Sequence, residues 1–579
     1  MNTFTIRSLL FWGALVVAGV LVWRMSVNAQ QPPADLILIN GRIVTADDSR
    51  PEAQALAMRG DTIAAIGTSA EMQKLAGPST KVIDLQGQLA IPGFIEGHGH
   101  FTGLGSGLMN LNLMTTKSWN EILTAVASAA ETAKPGQWII GRGWHQEKWT
   151  SVPTPNIEGF PTHESLSRVS PNNPVVLTHA SGHASFVNAK AMELSGITRD
   201  TANPDGGEIL KDEKGNPTGL LRERASGLVR QGVGEPEPSA ADRQARALRG
   251  IELATREALS KGVTSFQDAG SGFETVDMLK TLVDENKLGI RLWVMLRVGN
   301  DALAARLKDY RLVNYGDKRL TVRAIKVSVD GALGPRGAWL LEPYADKADS
   351  VGLNTTPMAS ARRTAQIAIE HGFQLNIHAI GDRANRETLD VYEEAFKAAG
   401  KDGKDLRWRI EHAQHIHPDD VPRFGRLGVI ASMQGIHCTS DAPYVLQRLG
   451  QERARTGAYV WQDLMKSGAL VTNGTDVPVE DIDPIASFHA TVSRTLADGS
   501  VFFPEQRMSR LEALKSYTIN NAIAAFEEDI KGTLAPGKLA DIVVLSKDIM
   551  TVPDDQIRDA KVVYTIVGGK VMYEKPKAF

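Results

Sequence analysis

Six side chains carry the chemistry this sequence offers: His98, His100, Lys326, His378, His412 and Asp476. His98 and His100 stand two apart in Gly97-His98-Gly99-His100. In extended backbone they project to the same side, and the flanking glycines leave room for a cation. His378 and His412 add imidazoles, and Asp476 adds a carboxylate. That donor set suits Zn²⁺ or a similar divalent ion. A lysine is cationic and would repel a metal, but Lys326 carboxylated by CO₂ becomes a carbamate anion able to bridge two metals. The state of Lys326 therefore leaves one metal or two open. Each residue alone also has a plain structural reading. His378 could be a satisfied core histidine. Asp476, in Asn473-Gly474-Thr475-Asp476, could cap a turn. Lys326 could pair with Asp330.

Such a set needs a scaffold that brings distant strand ends to one rim. Apolar, β-rich runs fall at 90–95, 262–267, 290–296, 321–329, 373–377, 406–410, 429–433 and 469–472. Helical patterns separate most of them. Residues 241–261 form a long amphipathic run closed by Gly262, and 359–370 form another with Gly372 shortly after. Strands alternating with helices predict an α/β fold, a (β/α)8 TIM barrel over residues 91–531. A doubly wound sheet is the competitor, but no Gly-x-Gly-x-x-Gly follows the first run. On a barrel, His98 and His100 follow strand one and Lys326 lies in strand four. His378, His412 and Asp476 follow strands five, six and eight. All then sit at the C-terminal rim, where barrel enzymes keep their chemistry.

The connection after strand one, residues 101–238, is far longer than the ~2–6 residues usual for such a loop. It holds Trp119, Trp138, Trp144 and Trp149, four of the ten tryptophans. It is either a lid that builds the substrate pocket or a subdomain whose tryptophans are core, and the two are compatible. Residues 30–90 and 532–579 are both β-rich, and neither has enough strands to bury a sheet face alone. Together they predict one small composite β-sandwich domain.

The 579-residue chain carries 64 Lys plus Arg against 67 Asp plus Glu, a net charge of −3. That balance gives no footprint for nucleic acid or for an anionic membrane. The single cysteine, Cys438, excludes an internal disulfide framework and a Cys-rich zinc module. Residues 1–29 differ from the rest: Arg7, an apolar run from Leu9 to Trp23, Arg24, then Val27-Asn28-Ala29. This is the pattern of a secretory signal peptide, with an apolar run shorter than the ~18–20 residues of a comfortable membrane span. It predicts an exported protein, periplasmic or secreted. An uncleaved anchor is the alternative and would be the sole membrane contact.

The residues also resemble a known family. Ile91-Pro92-Gly93-Phe94-Ile95-Glu96-Gly97-His98-Gly99-His100 is similar to the first-strand signature of the amidohydrolase superfamily. Gly141-Arg142-Gly143-Trp144, Lys326 through Asp330-Gly331-Ala332-Leu333-Gly334, and Asn376-Ile377-His378-Ala379-Ile380-Gly381-Asp382 resemble its amidohydrolase 3, YtcJ-like, branch. So do Ile410-Glu411-His412-Ala413, Asn473-Gly474-Thr475-Asp476 and Pro536-Gly537-Lys538-Leu539-Ala540-Asp541. The likeness spans nearly the whole chain beyond the N-terminal segment. It implies a barrel with a composite β domain. It implies metal held by His98, His100, carboxylated Lys326, His378 and His412, with Asp476 as ligand and base. His412 joins Asp476 in the catalytic set.

The expected function is metal-dependent hydrolysis of a C–N bond in a small molecule, of the non-peptide amide type. Asp476 takes a proton from the attacking water and passes it to the leaving nitrogen. Arg142, Trp144, His183 and Glu223 from the insertion, with Gln434 and His437 after strand seven, are candidates for binding substrate; packing of insertion on barrel is the alternative for each. A Cys438–His437 nucleophile is disfavoured, because neighbours in an extended segment point to opposite sides. His163 and His371 read as solvated, and His415, His417 and His489 as structural. A non-catalytic binding protein, or an isomerase, esterase or deacetylase on the same rim, are the competing functions. A homodimer is compatible with everything above.

Overall fold

The computed structural model describes residues 32–235 and 237–576. The segment 1–29, read above as a signal peptide or anchor, lies outside the described residues. Among the described residues no helix is long and apolar enough to cross a membrane.

Eight strands form the barrel in chain order: β1 (Phe94–Gly99), β2 (Val263–Ser271), β3 (Arg291–Leu296), β4 (Leu320–Ser328), β5 (Gln374–Ala379), β6 (Arg409–His412), β7 (Ile430–Gln434) and β8 (Val471–Gly474). Successive strands pair in parallel from β1 to β8. Helices cover the outside, so most strands are buried on both faces, and polar residues such as Gln267, Lys326, Asn376 and Arg409 are buried among the apolar ones. The seam between β8 and β1 closes through main chain at the rim. Asp476 N donates to His98 O at 2.7 Å, and His100 N donates to Val477 O at 2.7 Å. Glycines permit that approach: a Cβ on Gly97 would lie 2.4 Å from Asn473 O, and one on Gly474 would lie 2.6 Å from His98 N.

Two strand boundaries differ from the sequence reading. The run at 90–95 divides at Gly93, where a Cβ would lie 2.3 Å from the Thr264 side chain. Leu89–Pro92 pairs with the terminal strand Ile542–Leu545, and β1 begins at Phe94. The run at 406–410 begins instead at Arg409, because Gly403–Leu406 is a helical turn ended by Arg407 in left-handed conformation (φ 50°). His98, His378 and His412 lie within their strands rather than after them, because β1, β5 and β6 run on to Gly99, Ala379 and His412.

Both chain ends build two sheets. One has the order Thr62–Gly67, Ala55–Arg59, Ala34–Ile39, Ala76–Asp84. The other has the order Lys570–Glu574, Val562–Val567, Ile542–Leu545, Leu89–Pro92, Arg42–Val44, Glu52–Ala53. Leu36, Leu38, Leu56 and Met58 of the first share a core with Ala90, Ile542, Val544 and Ile566 of the second. Asp541 ties this pair to the barrel by accepting from Arg291 at 2.7 and 3.0 Å.

The insertion carries its own sheet, ordered Gly207–Lys211, Pro217–Glu223, Ala184–Val187, Val175–His179, Ile139–Trp144, Leu111–Asn112. Trp119 and Trp144 pack with Phe160, Phe186, Leu166 and Leu177 in one cluster beside it, and Trp138 joins another. These tryptophans are the core of the insertion.

Candidate metal centre

The strand ends bring the predicted ligands to one rim. His98, His412 and Asp476 each offer a ligand atom, all within 4.8 Å of one another. His100 joins them through Nε2, 3.3 Å from Asp476 Oδ1, and His98 Nε2 is 3.5 Å from the same oxygen. The His378 ring centroid lies 4.4 Å from that of His412. Lys326 Nζ is 3.4 Å from His98 Nε2. The compact trio is therefore His98, His412 and Asp476, with His100, His378 and Lys326 around it.

Each central ligand is oriented from behind. His98 Nδ1 is bonded to the buried Glu411 carboxylate, which leaves Nε2 facing Lys326 and Asp476. His412 Nδ1 donates to Gln434 Oε1 at 2.8 Å, and Gln434 is itself fixed by donating to Ser432 O at 3.1 Å. Second partners of this kind set the tautomer and ring angle of metal-ligating histidines. His412 (φ 75°) and Asp476 (φ 58°) both sit in left-handed backbone. That conformation costs a non-glycine residue about 1–3 kcal/mol and collects at functional sites. The loop of Asp476 is further held by Glu96, whose Oε1 accepts from Thr475 N at 2.5 Å.

Burial sets the protonation states. It pushes His98 down to about 4 and holds His378 and His412 well below their usual range. All three imidazoles are thereby neutral at pH 7, the state that ligates a metal. Burial alone would raise Asp476, but His100, 3.3 Å away, with His412 and His98, holds its carboxylate well below the usual range. Lys326 is pushed down to about 8, again chiefly by burial. His378 Nε2 and Asp476 Oδ1 are buried and make no hydrogen bond. Neutral imidazoles, an ionised carboxylate and orphaned buried donor atoms are the pattern that a divalent metal satisfies.

Other sequence expectations change. Lys326 does not pair with Asp330. The Asp330 carboxylate accepts from Trp339 N, Ile380 N and Gly381 N at 2.9, 3.0 and 2.8 Å, locking the loops after β4 and β5 together. Trp144 does not reach the cavity: it is fully buried in the insertion core and donates to Leu177 O at 2.8 Å. Gln434 does not line the cavity; its side chain is bonded to His412. Glu223 lines the cavity, but its Oε2 is bonded to His183 Nδ1 at 2.8 Å. Its carboxylate fills a cradle formed by Gly331 and Gly337, where Cβ atoms would lie 1.9 and 2.2 Å from Oε1. His183 remains a cavity residue, its ring centroid 5.0 Å from that of His378. His437 stacks on His412, with an interplanar angle of 11°, and borders a small adjoining cavity. His437 and Cys438 lie in the first turn of the helix Gly435–Leu449, not in an extended segment. Burial pushes the Cys438 thiol up to about 11, which leaves it inert as a nucleophile.

The sequence reading passed over Glu411 and Arg297. Glu411 had a signal, an acid in the strand Arg409–His412 directly before a predicted ligand. Arg297 directly follows β3, and nothing in its local sequence separates it from a solvated arginine.

The cavity above the rim measures about 920 Å³ and is walled by the insertion on one side and the strand-end loops on the other. Protein LONG AFTER FAR-RED 3 of Arabidopsis thaliana is 34% identical over 567 residues, covering 95% of this chain and 94% of that protein. N-substituted formamide deformylase of Arthrobacter pascens is 27% identical, covering 93% of this chain and 98% of that protein. The crystal structure of an uncharacterized metal-dependent hydrolase from Pyrococcus horikoshii has a TM-score of 0.70 and 28% identity, covering 90% of this chain and 99% of that one. Residues 81–573 match the family described as the Amidohydrolase family. With a barrel of this architecture and a histidine–aspartate cluster at its rim, the chain belongs to the amidohydrolase family and is a metal-dependent amidohydrolase.

Proposed function

We propose that this enzyme hydrolyses the C–N bond of a small non-peptide amide, with Asp476 carrying the proton. The observation behind this is Asp476 itself: an ionised, buried carboxylate in left-handed backbone, among His98, His100 and His412 and open to the cavity. A divalent metal, Zn²⁺ or a similar ion, held by His98, His412 and Asp476 with His100, His378 and Lys326 beside it, would acidify water and polarise the substrate carbonyl.

The protein's part is proton transfer and position. Asp476 accepts a proton from water as the water oxygen bonds to the carbonyl carbon. It returns that proton to nitrogen as the C–N bond breaks, so one water is consumed and an acid and an amine leave. One group serves both steps because its carboxylate stays beside the reacting atoms. His98 and His412 keep their orientation through Glu411 and Gln434. Lys326 is read as carboxylated. The support is electrostatic: a buried ammonium beside His98 Nε2, with no carboxylate partner among the described residues, would oppose a metal, whereas a carbamate would bind one. The Arthrobacter relative is named for deformylating N-substituted formamides, which agrees with an amide-type bond.

The test is Asp476→Asn assayed on a panel of N-acyl compounds. The variant is expected to keep its fold and metal while turnover falls ~10²–10⁴-fold. Normal turnover removes Asp476 from the mechanism. We also read residues 1–29 as an export signal. The mature protein recovered from outside the cytoplasm should begin after Ala29, and an N-terminus at Met1 would mean an anchor.

A further inference from the structure

The insertion sends an imidazole–carboxylate pair to the reacting end of the cavity, and the proton path through Asp476 leaves that pair without a task. His183 directly precedes the strand Ala184–Val187, and Glu223 ends the neighbouring strand Pro217–Glu223. Two bonds join them. Glu223 N donates to His183 O at 2.8 Å, and His183 Nδ1 donates to Glu223 Oε2 at 2.8 Å. The Glu223 side chain is 5% exposed, and its backbone φ of 49° is a strained conformation for a residue with a side chain. Its Oε1, in the cradle of Gly331 and Gly337, makes no hydrogen bond. The insertion is thus keyed by Glu223 into the loop after β4, and the imidazole that Glu223 holds is fixed relative to the rim.

His183 begins a row of rings that runs to the metal cluster. Centroids are 5.0 Å apart from His183 to His378, 4.4 Å from His378 to His412 and 4.7 Å from His412 to His98. His183 lines both the main cavity and the small one adjoining it, as do His378, His412 and Asp476. Among the described residues its ring makes one hydrogen bond, the one through Nδ1, so Nε2 is left for a ligand. A carboxylate accepts and does not donate, so Nδ1 carries the ring hydrogen. Beside a divalent ion a further positive charge is disfavoured, so the ring works in its neutral form and Nε2 offers a lone pair. An amide at the rim turns its carbonyl oxygen to the metal and its nitrogen to the proton of Asp476. Its N–H, taken out of water, still needs an acceptor.

We propose that His183 Nε2 accepts the N–H of the substrate's amide, with Glu223 as the positioning residue that fixes the ring. Attack at the carbonyl carbon turns the planar nitrogen pyramidal. An anchored N–H then leaves the nitrogen lone pair free for the proton that Asp476 returns. The site takes amides that bear an N–H. It disfavours N,N-disubstituted amides and esters, which set an alkyl group or an oxygen lone pair against Nε2. That this N–H belongs to a scissile bond rests on the hydrolase reading above.

The test uses the metal-loaded, full-length enzyme and tetrahedral phosphorus compounds that mimic the attacked amide and the attacked ester. N-butyl and N-benzyl methylphosphonamidate are compared with butyl and benzyl methylphosphonate, each pair differing by N–H against O. Calorimetry on the wild type should show at least one phosphonamidate binding about ten-fold or more tighter than its ester. His183→Phe and His183→Leu should each lose that preference with metal content unchanged. Glu223→Met should reduce it, and Glu223→Gln, which keeps an acceptor for the Nδ1 hydrogen, should retain most of it. Equal binding within both pairs, or binding of none of the four compounds, overturns the proposal. So does a preference that survives both His183 variants, or a loss of metal in them, which would make His183 a ligand. A preference untouched by Glu223→Met removes Glu223 from the positioning role. If the preference is present but no secondary amide is turned over, the N–H site stands and the hydrolase reading fails. Turnover of N,N-disubstituted amides at the rate of secondary ones, with no preference, gives the reverse.

Discussion

The barrel rim and the insertion face each other across one cavity and use their polar residues differently. On the rim several side chains are tied to partners from other strands or loops: His98 to Glu411, His412 to Gln434, Thr475 N to Glu96, Asp330 to three amides. In the insertion, the large aromatic residues stabilise the insertion itself, and Arg142 meets the cavity with only main-chain contacts behind it. Strand ends that brace one another suit the chemistry, which needs fixed geometry. A separately folded subdomain laid over them suits substrate choice, because its cavity-facing residues can vary without disturbing the ligands.

Substitutions in the two regions should therefore fail in different ways. Asp476→Asn strikes the rim and has the largest expected effect, the ~10²–10⁴-fold loss of turnover described above with fold and metal retained. Trp144→Ala strikes the insertion core and is expected to cost ~3–5 kcal/mol of stability, read by denaturant unfolding, with metal content intact. Loss of metal in that variant would show that the two regions are one cooperative unit. Glu411→Gln removes the partner of His98. Metal affinity should fall about 10–100-fold in chelator competition, and an unchanged affinity would mean that the rim is not braced from behind.

An effect absent at neutral pH concerns His415, which is buried with neither ring nitrogen hydrogen-bonded. Burial lowers it from 6.5 to about 3. Below pH 6.5 the unfolded chain gains a proton there that the folded chain refuses until about pH 3. His415 therefore weakens the fold as pH falls through that window. His415→Leu should be close to neutral at pH 7 and gain relative stability by up to ~1.4 kcal/mol per pH unit on acidification. Parallel stability curves for the two proteins between pH 7 and pH 4 would contradict this.

The difference between the regions also explains what the sequence revealed. The barrel was legible because apolar β-rich runs recur between helical patterns, with a polar residue near the end of most of them. His98, His378, His412 and Asp476 stood out against that background. The insertion was not. Its strands pair out of chain order, and Trp144, in a strand that also carries Arg142, points into the core while Arg142 points to the cavity. Gly141-Arg142-Gly143-Trp144 does not say which side faces which. Gln434 was found as a polar residue near the rim and Glu223 as one in the insertion, but what they do depends on the His412 and His183 side chains that they hold, which come from other elements.

The central claim is that the rim residues form one metal site. Its most direct test is the metal content of the purified protein after dialysis against neutral, metal-free buffer, compared with His98→Ala/His412→Ala. The account predicts at least one equivalent of divalent metal in the wild type and a loss of bound metal in the folded double variant. A wild type that carries no metal and takes up none on reconstitution, or a double variant that retains the full complement, would contradict it.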